Sequence, residues 1–99
     1  MDTQLRYDVL VAISDDYEDL QNVMSYVRRF AYGAKTVTDE EVGRTLSELI
    51  GDGLAEAYLL SPQPPHALKV DFDPSKIEKL WFYATPKGKD FARNIDELS

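Results

Sequence analysis

The chain has 99 residues, 43% of them hydrophobic and 11% aromatic, which is enough apolar material for one modest core and too little for a second domain. It carries no cysteine, so a disulfide framework, a thiolate metal site and a thiol nucleophile are all excluded. A formal net charge of −7 opposes non-specific attraction to a polyanion.

The acid is unevenly spread. Residues 1–68 hold 5 basic and 12 acidic side chains, whereas residues 69–99 hold 6 of each. The early apolar run from Val9 to Ile13 is too short for a signal-peptide core or a membrane span, so the expectation is a soluble, cytoplasmic chain without a membrane partner. In residues 4–13, Leu5, Val9, Ala12 and Ile13 fall on one helical face, although Val9 to Ile13 reads equally as a buried strand. Helix is the preferred reading, because Ser14-Asp15-Asp16 then ends it and caps the next one.

Residues 16–32 carry Leu20, Val23, Met24, Val27, Phe30 and Ala31 at helical spacing, with Tyr17 at the head and Gly33 at the stop. Glu18 and Asp19 would occupy the first turn, and Arg28 and Arg29 the last, where each complements the helix dipole. Gly33 to Val37 then leads into a third helix with both ends written in the sequence. Thr38 and Glu41 form a capping box. Val42, Leu46, Leu49 and Ile50 make the apolar face, and Gly51 and Gly53 offer a left-handed stop from which Leu54 packs back.

Ala55 to Leu60 reads as a strand, and the three prolines between Ser61 and His66 mark a loop. Leu68, Val70 and Phe72 alternate with Lys69 and Asp71, predicting a second strand with one buried face. Asp73-Pro74-Ser75 turns the chain, and Leu80 to Ala84 returns as a third strand rich in aromatics. On a strand, one side of Trp81, Phe82 and Tyr83 faces the core. The other is left for protein contact, a dimer surface, or cover by the last helix. Thr85-Pro86 opens that helix, with proline where its missing donor does no harm, and Phe91, Ile95 and Leu98 stripe it.

The helix, glycine, leucine and strand run over residues 38–60, together with Leu80-Trp-Phe-Tyr-Ala-Thr-Pro-Lys-Gly-Lys-Asp-Phe91, resembles winged helix-turn-helix domains of the MarR-like and PadR-like regulators. The resemblance implies an α+β fold with a three-helix core, a β-wing over residues 54–84 and a short C-terminal helix. The Gly33 to Val37 connection departs from it, being longer than the three- or four-residue turn usual in such motifs. It also implies a non-catalytic transcriptional regulator without cofactor or metal, acting on double-stranded DNA.

In that reading the helix over residues 38–52 approaches the major groove with Arg44, Thr45 and Ser47. Arg28, Arg29 and Lys35 stand beside it, and Lys76 and Lys79 lie near the tip of the wing. The charge pattern points elsewhere. Asp39, Glu40 and Glu41 crowd the helix start and repel phosphate, and Glu40 and Glu48 lie one turn either side of Arg44, where each would hold it. The alternative is an acidic winged-helix module that meets a basic protein, or a second copy of itself.

Enzyme signatures are not found in the sequence. Asp15, Asp16, Glu18 and Asp19 read as helix capping rather than a catalytic pair, because acid–base work needs environments that separate two pKa values. Ser14, Thr36 and Ser47 lack an activating base, and Gly51-Asp-Gly53 has no lysine to make it a phosphate loop. His66 reads as an exposed loop histidine. Asp71 to Glu78 lacks the spacing of a calcium loop and reads as a turn.

Overall fold

The computed structural model describes residues 3–30 and 37–98, with side chains over 4–29 and 37–93. Its elements are α1 (Thr3–Ala12), β1 (Glu18–Asp19), α2 (Leu20–Phe30), α3 (Asp39–Gly51), β2 (Ala55–Leu60), β3 (Ala67–Val70), a 3-10 turn (Pro74–Lys79), β4 (Trp81–Ala84) and α4 (Pro86–Leu98). The architecture is α+β, with a four-stranded antiparallel sheet in the order β1-β4-β2-β3. Helix α1 packs against α2, α3 and α4, which places it at the centre of the helical layer.

The core follows the apolar spacing closely. Leu5, Val9, Leu10, Ala12 and Ile13 of the first segment are buried, and the Ile13 amide donates to the Val9 carbonyl at 3.2 Å. Val9 to Ile13 is therefore helical rather than extended. Leu20, Val23, Met24 and Val27 bury from α2, and Val42, Leu46 and Leu49 from α3. From the sheet, Ala55, Ala57, Phe82 and Ala84 meet them, alanine on β2 allowing the helices to approach closely.

Three expectations change. Helix α2 begins at Leu20 instead of residue 16, because Glu18 and Asp19 pair with Phe82 and Trp81 of β4 as a short strand. Asp19 then caps α2, accepting from the Asn22 amide at 2.9 Å. The hairpin tip is the proline loop between β2 and β3, so Lys76 and Lys79 do not lie there. They sit on the 3-10 turn that carries the chain from β3 to β4. That turn is opened by Asp73, whose carboxylate accepts from the Ser75 amide at 3.0 Å, with Pro74 at its first position. Finally, Leu68 is 53% exposed and its cross-strand partner Leu59 43%, so the expected buried face of this strand does not extend to that end of the hairpin. Phe72 instead packs on Phe82, with ring centroids 6.1 Å apart. The expected stop at Gly33 and the apolar role of Ile95 and Leu98 concern residues outside those whose structure or side chains are described.

The end of α3 is a complete Schellman motif. Gly53, at φ 78°, donates to the Ile50 carbonyl at 3.1 Å, and Leu54 donates to that of Leu49 at 2.9 Å. The Thr-Pro-Lys-Gly step locks onto it. The Thr85 amide donates to the Leu54 carbonyl at 3.0 Å and its hydroxyl to the Gly53 carbonyl at 2.8 Å, while the same hydroxyl accepts from the Gly88 amide at 3.0 Å. Gly88 is required by space, because a Cβ there would lie 2.0 Å from the Leu54 carbonyl oxygen. Gly88→Ala is expected to cost about 2–3 kcal/mol through overpacking. Gly51→Ala, with nothing within 4 Å of the added carbon, should instead stabilise by roughly 0.5–1 kcal/mol. Urea denaturation of both variants measures the contrast.

Candidate functional site

The outward face of α3 is one wall of a groove of about 420 Å³, and the 3-10 turn is the other. Phe72, Pro74 and Ile77 supply its apolar surface with Leu20, while Asp39, Glu40, Arg44, Ser47 and Glu78 supply its polar surface. Gly43 explains why the walls come together. A Cβ at that position would stand 3.0 Å from Ile77 Cδ1, so the missing side chain is what lets Ile77 rest on the helix. The lining includes neither an imidazole nor a thiol.

Three carboxylates and one guanidinium thus border an apolar floor. Among the described residues, no ion pair engages Asp39, Glu40 or Arg44. The expected bracket of Arg44 by Glu40 and Glu48 does not form. Glu48 turns instead toward Arg6 of α1, 3.7 Å away, and Arg6 also reaches Asp52 at 2.6 Å. A cation there offsets the negative end of α3 as well as its two carboxylates. Arg44 is left exposed at the groove.

The remaining candidates do not converge. Thr45 is only 6% exposed and donates its hydroxyl to the Glu41 carbonyl at 2.8 Å, so its role as a surface contact is corrected. It lies three residues from Val42 and four from Leu49, inside the buried stripe. Ser47 is exposed at the groove. Arg28 donates to the Val37 carbonyl at 3.2 Å and so fastens the start of α3, while Arg29 is exposed on the last turn of α2. Lys76 and Lys79 are exposed on the 3-10 turn, and Lys35 lies outside the described residues.

Gly43 and Ile77 carry no functional reading in the sequence, and Phe72, Pro74 and Glu78 read there only as strand and turn positions. The available signal was Asp73-Pro74, a cap followed by proline, which marks a helical start rather than a simple turn.

On the face of the sheet opposite Ala57 and Phe82, Tyr17 packs edge-on to Tyr58 at 5.0 Å and against Tyr83 at 4.9 Å. Lys89 lies 4.3 Å over the Tyr83 ring. Burial, then the neighbouring Glu56 carboxylate, pushes the Tyr58 hydroxyl up to about 12. In the acidic segment before α2, burial first and then the Asp16 and Asp19 charges push the Glu18 carboxyl above its ordinary range. Compared with protein-family models, curated proteins and solved structures, the chain matches none.

Because the folded state disfavours ionised Glu18, it binds that proton more tightly than the unfolded chain does, and Glu18 weakens stability as pH rises through the carboxylate range. Glu18→Gln is expected to raise the denaturation midpoint at pH 7. The gain should fade as pH falls through the raised pKa toward the ordinary value of 4.5, as thermal melts across that range would record.

Proposed function

We propose that this chain is an acidic winged helix-turn-helix module that docks a basic, amphipathic segment of a partner protein in the groove between α3 and the 3-10 turn. The winged-helix reading is supported by the element order. Three helices, with the short β1 between the first two, precede the β2–β3 hairpin, α3 runs directly into β2 through a glycine stop, and β4 returns beside β2 before a C-terminal helix. The docking reading is carried by one observation, the composition of the groove. An apolar floor takes an apolar side chain, and Asp39, Glu40 and Glu78 attract lysines or arginines on either side of it.

DNA binding by the same face, as in a transcriptional regulator, is the second reading. It is favoured by the exposure of Arg44 and Ser47 on α3 and of Lys76 and Lys79 on the adjoining turn. Affinity for a duplex rests mainly on neutralised phosphates, and the first turn of α3 opposes them with Asp39, Glu40 and Glu41. The acidic groove therefore favours a cationic peptide over a polyanion.

Fluorescence anisotropy with a short labelled peptide, a leucine flanked by lysines, tests the proposal beside a gel-shift series on random duplex. Peptide binding that weakens with salt is expected, with Ile77→Asp reducing it at least tenfold because the apolar seat becomes charged. No shift is expected at micromolar protein in about 50 mM salt, where electrostatic affinity is strong. A duplex shift abolished by Lys76→Glu with Lys79→Glu, without peptide binding, would overturn the docking reading in favour of DNA.

A further inference from the structure

The sheet ends at β3, which pairs only with β2, so its outer backbone edge has no strand partner among the described residues. The Ser61 amide donates to the His66 carbonyl at 2.9 Å. Antiparallel alternation from that bond turns the backbone groups of Leu68 and Val70 toward β2 and those of Ala67 and Lys69 outward. Leu68 and its cross-strand partner Leu59 are 53% and 43% exposed, an apolar pair at the open end of the hairpin. Exposed edges with apolar side chains are sites of strand addition unless charge or proline blocks them.

We propose that the segment from Leu68 to Phe72, the end of β3 and the two residues that follow it, pairs antiparallel with its counterpart in a second copy, making a two-fold dimer with a continuous eight-stranded sheet. The sequence Leu68-Lys69-Val70-Asp71-Phe72 carries the argument, because it is complementary to itself when reversed. With Val70 on the two-fold axis, Lys69 of each copy faces Asp71 of the other, and Leu68 faces Phe72. That register also sets outward-facing Lys69 into the new ladder, as antiparallel pairing requires. A register centred on Lys69 would place two lysines opposite each other. Opposite charges across a pair stabilise it and like charges destabilise it, so the Val70 register is favoured over one centred on Lys69. A self-complementary patch is what a two-fold interface demands of a single chain. The dimer edge shares Phe72 with the α3 groove, but its test changes only Lys69 and Asp71, neither of which lines that groove.

Sedimentation equilibrium over micromolar to hundreds of micromolar protein tests the dimer, with circular dichroism confirming that each variant is folded. Wild type is expected to show a monomer–dimer equilibrium. Asp71→Lys should weaken it at least tenfold by setting lysine against Lys69, and it leaves the 2.5 Å Lys69–Glu56 ion pair of the same chain in place. Lys69→Asp should likewise be monomeric, because it sets aspartate against Asp71. An equimolar mixture of the two single variants should recover dimer, since each chain then supplies the charge the other lacks. A wild type that stays monomeric throughout overturns the proposal, and so does a dimer indifferent to Asp71→Lys or a mixture that fails to associate.

Discussion

The junction at Leu54 is the constraint on which the rest of the arrangement depends. Its amide closes α3 and its carbonyl receives Thr85, so one residue ties the end of a helix, the start of β2, the end of β4 and the start of α4. Gly88 lies against the same carbonyl, and Leu10 of α1 borders that contact from the core. Each partner has a reason to be what it is. Gly53 supplies the left-handed backbone, Thr85 uses its hydroxyl as donor and acceptor at once, and Pro86 gives up an amide that has no helical partner. Because α3 is held at its C-terminal end by this junction and by Arg6, and at its N-terminal end by the Thr38 and Glu41 box, its outward face is presented rigidly.

That face is shaped by where charge is neutralised and where it is left alone. Arg6 settles the acid at the end of α3, and Lys69 settles Glu56 on the sheet, holding that carboxyl below the usual range chiefly through a direct hydrogen bond. Asp39 and Glu40 receive no such partner among the described residues, and they stand beside the apolar surface contributed by Ile77. Acid that is paired in the fold does little for recognition at a distance. Acid left unpaired at the rim of an apolar groove sets the sign of what can approach it.

Much of this was legible in the sequence wherever local rules agree. The capping box, the glycine stop, the apolar stripes of α2 and α3 and the Thr-Pro helix start are short-range signals, and each element lies where they point. Elements defined by distant partners were not legible. Glu18 and Asp19 read as a helix start because nothing near them announces β4 as their neighbour. Glu48 read as a partner for Arg44 because i, i+4 spacing is visible in a sequence, whereas Arg6 is 42 positions away and reaches it only through packing. The groove was hidden for the same reason: Gly43 looks like a weak point in a helix until Ile77 is placed on it.

Thr45 shows how a position within a motif can mislead when chemistry is assigned by setting. The outward-facing set of a helix is fixed by angle, and Thr45 belongs with Val42, Leu46 and Leu49 on the buried side, where its hydroxyl is satisfied by its own helix. Gly43, Arg44 and Ser47 remain outward, so the usable face of α3 is narrow, and the 3-10 turn stands against it. A duplex would have to reach the helix past Ile77 and Glu78. In the docking proposed above, a peptide side chain has only to enter between α3 and the turn, beside Ile77, and needs no such clearance.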